Sequence, residues 1–275
     1  MKKILIFFLI FIFLDSIVFA DEGYYIDWIK GRIYSLVYIN VKGDYNFANN
    51  SLKGIYDSQI KSKINFYKAL KEINISESIS VLDYFEERSE RNRELFSLID
   101  KADLYKVEYP NVNTIKISYY INLFGEESLM NILMNERDIY TEDLKGYMGY
   151  HYETQYTGII IDARGELISF DGYTVKVKSS LFITVKDSEG RIVFDKNNIY
   201  PEIIREKGMV RYSYDINADH LDRVGKNPLR IVANGTGDRS GSVIVITEID
   251  AKKMLSSNTT RQAIQNGKIV IIIDN

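Results

Sequence analysis

The chain has no cysteine, three prolines, one tryptophan and two histidines among its 275 residues. Each shortage removes a class of explanation. Without cysteine there is no disulfide, no thiolate nucleophile and no attachment point for a lipoprotein anchor. The two histidines, His151 and His220, lie far apart in the chain. A zinc site would have to be completed by carboxylates, and no His-x-x-x-His spacing exists, so both are expected to be structural. A Gly-x-Ser-x-Gly elbow is also missing, which argues against the common serine-hydrolase arrangement. Charge is close to balanced, with 35 basic against 38 acidic residues and a net of −3. Nucleic-acid binders concentrate positive charge, so nucleic acid is not the expected partner. No catalytic, cofactor-binding or metal-ligating residue is assigned.

What is present begins with a targeting signal. Lys2 and Lys3 precede an uninterrupted apolar run from Ile4 to Leu14, and Val18-Phe-Ala20 places small residues before Asp21. That layout predicts a signal peptide over 1–20, cleaved after Ala20, and an exported, periplasmic protein. The run is too short to span a bilayer, so contact with the membrane is expected only through the cleaved signal. Removing residues 1–20 takes away Lys2, Lys3 and Asp15 and leaves 33 basic against 37 acidic residues. An exported chain without disulfides must be held by its core alone, and this length suffices for one.

The first half, 22–134, reads as a small α/β domain. Arg32–Val41 has the β-branched and aromatic character of a strand. Leu52, Ile55, Tyr56, Ile60, Ile64, Tyr67 and Leu70 recur at helical spacing, which predicts a long helix with these residues on its core face. Ile73–Ile79 is a short strand or a connection, and Val81–Ile99 a second helix. Its Glu86–Glu94 stretch mixes both charges and is expected to be a solvated, salt-bridged face. Lys106–Tyr109 and Thr114–Phe124 are predicted strands flanking a turn at Pro110-Asn-Val-Asn113, with Ile115, Ile117, Tyr119 and Ile121 toward the core. A helix over Glu126–Met134 closes the unit. Residues 135–156, acidic and without period, read as a connection.

The second half, 157–275, is turn-punctuated. Strands are predicted at Thr157–Asp162, Leu167–Phe170, Thr174–Val185, Ile192–Phe194, Val210–Tyr214, Leu229–Ala233, Val243–Thr247 and Lys268–Ile273. Helices are predicted at Ala218–Val224, Ala251–Ser256 and Thr259–Asn266, the last stopped by Gly267. Lys186-Asp-Ser-Glu-Gly190 reads as a hairpin turn with Gly190 at positive φ. The fold class expected is α+β: an N-terminal sheet packed by a long helix, followed by a strand-rich C-terminal α+β domain.

The wording of both halves resembles a known group. Trp28-Ile-Lys-Gly-Arg-Ile-Tyr34 and the long helix after it resemble the small α/β domain of the lipoprotein-20 family, also found at the front of flagellar assembly protein T. In the second half the resemblance rests on Thr157-Gly-Ile-Ile-Ile-Asp-Ala-Arg-Gly165, Asp187–Phe194, Gly208-Met-Val-Arg-Tyr212, Asn227-Pro-Leu229, Val243–Ile246, Asp250-Ala251 and Ile269–Asp274. The chain departs from that pattern at Glu166–Ser180, where a Pro-rich segment is expected. The resemblance implies a periplasmic envelope protein without known catalysis, and envelope or flagellar-basal proteins as partners.

Three stretches invite a sharper assignment. Asp162 and Arg164 could be an acid and an anion clamp, but no second catalytic group adjoins them. The preferred reading is a turn capped by Asp162 with Gly165 at positive φ. Asn234-Gly-Thr-Gly-Asp-Arg-Ser-Gly241 is Gly-rich, yet a strand rather than a helix follows it, so a hairpin tip is expected instead of a phosphate loop. The 21 tyrosines suit half-buried sheet positions and could also line a glycan or peptide groove. The expected function is a non-catalytic scaffold docking through strand edges or the loops 163–173 and 234–242. The alternative is a small-ligand or glycan-binding module, with a hydrolase built on an unusual carboxylate pair ranked last.

Overall fold

The computed structural model describes residues 23–40, 47–76, 79–134, 141–147, 149–150 and 154–275. The predicted signal peptide, His151 and parts of the 135–156 connection lie outside the described residues.

In chain order the first half contains β1 (Gly23–Asp27), β2 (Arg32–Asn40), α1 (Phe47–Glu72), α2 (Val81–Glu86), a 3-10 turn, α3 (Asn92–Asp100), β3 (Asp103–Asn111), β4 (Thr114–Asn122) and α4 (Leu129–Leu133). The second half contains β5 (Gly158–Asp162), β6 (Leu167–Ile168), β7 (Thr174–Val175), β8 (Thr184–Asp187) and β9 (Ile192–Phe194). It continues with α5 (Pro201–Lys207), β10 (Arg211–Ser213), α6 (Leu221–Val224), β11 (Pro228–Val232), β12 (Gly235–Thr236), β13 (Val243–Ile246), α7 (Glu248–Ser256), α8 (Asn258–Gln265) and β14 (Ile269–Ile272). This is the α+β class expected, with helix and strand in both halves.

The first sheet is antiparallel in the order β1-β2-β4-β3. Ile115, Ile117, Tyr119 and Ile121 are buried as their alternation predicts. Helix α1 packs on that face, but its orientation corrects the periodicity reading. Gly54, Ser58, Ser62, Asn65, Phe66, Ala69 and Leu70 face inward, while Ile55, Tyr56, Ile60 and Ile64 are exposed. The sheet supplies the reason. Tyr119 places a hydroxyl against Ser58 Oγ (2.9 Å), and Ser35 Oγ and the Leu36 carbonyl accept from Asn65 Nδ2 (3.1 and 3.3 Å). Buried polar groups need partners, so the helix turns its hydrogen-bonding side inward. Gly54 allows close approach, since a Cβ there would lie 3.0 Å from Ile39 Cγ2.

Other boundaries shift for local reasons. The single helix predicted over 81–99 is broken into α2, the 3-10 turn and α3, and the Ser80/Asp83 capping box starts the first piece. The turn between β3 and β4 falls at Val112-Asn113, so Pro110 lies inside β3. Because β3 is an edge strand with two register shifts, a residue without an N–H is tolerated there. Strands β1 and β12 and helix α5 were not anticipated.

In the second half, β5 is central in a parallel sheet ordered β10-β14-β5-β11. A parallel strand is covered on both faces, which explains the unbroken Ile runs of β5 and β14. Ile159, Ile161, Ile269 and Ile271 face the main core, and Ile160, Val270 and Ile272 face Val224 of the α6 side. Gly158 permits that contact: a Cβ would meet Val224 Cα at 2.6 Å. A second sheet, β12-β13-β8-β9, is mixed. The strand predicted over 174–185 is two short strands with irregular chain between, pinned where the Tyr212 hydroxyl accepts from Ser180 N and donates to Ser180 O (3.0 and 2.9 Å).

The two halves share one core. A single cluster runs from Phe66 and Leu123 to Ile204, Met209 and Tyr212. Leu181 N and Phe182 N donate to Asn74 O and Ile75 O, and Trp28 meets the Tyr212 ring edge-on at 5.5 Å. The described part of the connection lies against the second half, with Glu142 N donating to Asn197 O (2.7 Å).

Candidate functional site

The carboxyl ends of parallel strands are where an α/β sheet presents its loops, and ligands of open sheets gather there. In this protein β5 ends at Asp162. Its carboxylate accepts from Arg164 Nε and Nη2, both at 2.8 Å, and from the Arg164 backbone N–H at 3.3 Å. The arginine hydrogen bond outweighs partial burial and holds Asp162 below the usual carboxylate range. Gly165, at φ 83°, donates its N–H to Asp274 Oδ2 (3.0 Å), just beyond β14. The pair therefore closes a turn, as the sequence predicts, and Arg164 is committed to Asp162 as its anion.

Loops 163–173 and 234–242, separate in sequence, are joined in space. Phe170 N donates to Thr236 O at 3.1 Å, and Ser169 and Thr236 form a β-bridge. Gly235 is required at the junction, because a Cβ would lie 2.6 Å from the Ile168 carbonyl oxygen. On the other side Lys178 N donates to Gly241 O at 3.0 Å. Asp238 organises the tip by accepting from Ser240 N and Ser240 Oγ. A hairpin is present as predicted, but its arms are β12, which lies within the 234–241 stretch, and β13, because β11 belongs to the other sheet. Arg239 then lies over the Tyr173 ring, 3.4 Å from its centroid, and 3.9 Å from Asp171.

This joined surface exposes apolar side chains. Phe170 is 53% exposed and Val232, at the end of β11, 67%; Ile168 and Tyr173 are also exposed. Burying them is favourable, and their mounting on backbone hydrogen bonds reduces the ordering cost of doing so. Chemically the surface offers aromatic and aliphatic contact beside Arg239, a composition suited to recognition.

The tyrosines gather elsewhere, on the face of the first sheet opposite α1. Tyr25 stacks on Tyr34 at 4.7 Å, Tyr105 meets Tyr34 edge-on at 5.0 Å, and Arg32 sits 4.3 Å above the Tyr120 ring. The Tyr34 hydroxyl is buried beside the Arg32 guanidinium, whose charged form it favours. A groove of about 400 Å³ lies between α3, the end of β4 and α4, with Arg93, Leu98, Lys101, Tyr120, Asn122 and Ile132 among its walls.

Sequence reasoning missed two buried charged groups. Asp187 is fully buried in the β8–β9 hairpin. It accepts from Arg191 Nε (2.6 Å), Tyr147 Oη (2.8 Å) and the backbone N–H groups of Glu189 and Arg191 (both 3.0 Å). Burial opposes its ionisation, yet these donors prevail and its pKa is lowered, while burial and the Asp187 contact push the Tyr147 phenol up to about 12. Arg223 is buried and donates to the carbonyls of Lys207 and Gly208 at the end of α5 (3.2 and 2.8 Å). Burial, then the charge of Arg211, lowers its pKa to about 10. His220 adopts φ 51° at the start of α6, with Nε2 buried and unpartnered. Only the Asp187–Gly190 turn wording hinted at the first of these.

Among the described residues, no group of three or more His, Cys, Asp or Glu side chains is arranged to hold a metal ion. No described helix is long and apolar enough to cross a membrane.

The fold and this loop cluster define a mixed α+β protein that presents a preformed apolar surface at the carboxyl ends of a parallel sheet. Residues 158–275, the unit that contains the whole cluster, match the family described as the second domain of Treponema pallidum Tp0624. No curated protein matches the chain.

Proposed function

We propose that the protein is a non-catalytic interaction protein of a bacterial envelope assembly that docks a protein partner through the joined loops 163–173 and 234–242. The observation that carries this reading is the exposure of Ile168, Phe170 and Tyr173 on loops joined by backbone hydrogen bonds, and of Val232 at the end of β11, with Arg239 lying over the Tyr173 ring. An apolar cluster rimmed by polar residues is the composition of a protein-binding patch. Export to the periplasm and a place at the flagellar base are the setting that the resemblance of the sequence implies. A photoreactive amino acid placed at Phe170, in the native host, tests the reading. The expected result is a discrete crosslinked adduct that Tyr173→Ser weakens and that the same probe at exposed Ile249 does not form. Absence of an adduct at Phe170, or an identical pattern at both positions, overturns it.

The tyrosine-bearing sheet face supports a second reading, as a glycan-binding module. Tyr25 and Tyr105 present exposed rings on which a sugar face can stack. A rise in Tm with soluble cell-wall fragments, abolished by Tyr105→Ala, is its expected signature.

A further inference from the structure

Helix α1 is the outer layer of the first half, and its outward face is built unlike an ordinary solvated face. Tyr56, Ile60 and Ile64 follow one another at i, i+4 and i+8, and the two isoleucines are 46% and 52% exposed. They form a continuous ridge of about 12 Å along the axis. Tyr67 extends it and meets exposed Phe96 of α3 at 6.1 Å. Lys53, Lys68 and Lys71 are exposed along the same face with Asp57 the acid among them, while Lys63 beside the ridge is paired with Asp100 of α3 (2.6 Å). Glu72, at the end of the helix, is engaged by the Tyr24 hydroxyl. The whole chain carries a net −3, so this concentration of lysine beside isoleucine and tyrosine is a local segregation of charge.

We infer that the outward face of α1 is a docking surface for an anionic phospholipid bilayer. The helix lies flat, its isoleucines enter the headgroup boundary, Tyr56 sits at the interface, and the lysines reach lipid phosphates. A basic amphipathic helix has the chemistry for this, and long lysine stems let the charge stay in water while the ridge is buried. A second copy of the chain is disfavoured as the occupant, because it would set the lysines against themselves. The ridge is convex, which suits a planar surface better than a partner helix seeking a groove. This inference is independent of the loop cluster, which lies in the other half of the molecule.

The absence of cysteine makes a local test straightforward. In the full chain, Tyr56→Cys is labelled with an environment-sensitive dye, and Ile249→Cys in a separate preparation serves as the control. With phosphatidylglycerol vesicles at low salt the dye at position 56 is expected to shift to shorter wavelength, whereas phosphatidylcholine vesicles leave it unchanged. The dye at position 249 is expected not to respond. Because the signal is local, attachment of the vesicle to the apolar run near the N-terminus would not produce it. Lys68→Gln/Lys71→Gln is expected to weaken the partitioning by about thirtyfold, and added salt to reverse it. A dye at 56 that stays in water beside phosphatidylglycerol, or that shifts equally with both lipids, overturns the inference. So does a shift produced by an acidic protein and not by vesicles.

Discussion

Asp187 shows how one side chain can hold a hairpin. Four donors converge on a carboxylate with no exposed surface. Its folded pKa is depressed, so the stability it contributes is present above the unfolded carboxylate pKa, about 3.9. That contribution is lost as pH falls through the lower folded value. Asp187→Asn is therefore expected to cost about 2 kcal/mol at pH 7, measured by urea denaturation. The difference from the parent protein should shrink as pH is lowered below 4 or so. Asp162 presents the contrasting case of a half-exposed ion pair closing a turn. The Asp-Ala-Arg-Gly wording made that turn readable in advance, because Asp and Gly at those positions have local jobs. Arg223 was not readable in the same way, since the Lys207 and Gly208 carbonyls it meets belong to another element, and for Asp187 the donor that the sequence hid was Tyr147, 40 residues away.

At the scale of elements, α1 is the informative one. Its existence followed from helical periodicity, yet the face it buries is the one bearing Ser58, Ser62 and Asn65. Periodicity identifies an apolar stripe but does not say whether the sheet beneath offers hydrocarbon or hydrogen-bonding groups. Here Tyr119 and Ser35 ask for partners. Two substitutions separate the alternatives. Ser62→Leu, on the buried face, is expected to cost about 1–3 kcal/mol by overpacking. Ile64→Ser, on the exposed ridge, should change stability by less than about 0.5 kcal/mol. The reverse order would restore the periodicity reading. Strands β5 and β14 behaved as expected because continuous Ile runs admit burial on both faces whatever covers them.

At the scale of the molecule, the shared core ties the halves together. Trp28, the only tryptophan, stands against Tyr212 across the junction and therefore reports on it. With one contiguous cluster spanning both halves, unfolding followed by Trp28 fluorescence and by far-UV circular dichroism should give coincident transitions. Fluorescence changing before the loss of secondary structure would mean that the halves separate first. The two candidate surfaces also differ at this scale. The loop cluster belongs to the second half and the α1 ridge to the first, so the two proposed docking surfaces can be tested independently of one another.

The sequence alone determined the features that depend on neighbours in the chain. These are the class of the fold, the long helix, the buried Ile strands, and the turns at Asp162–Gly165 and Asp187–Gly190, because side-chain alternation and positive-φ glycines act locally. Tertiary structure decided which side of α1 is buried, the joining of loops 163–173 and 234–242, and the burial of Asp187 and Arg223. Each of these depends on which polar groups and surfaces meet across long separations, and such meetings are settled by hydrogen-bond satisfaction and packing in three dimensions.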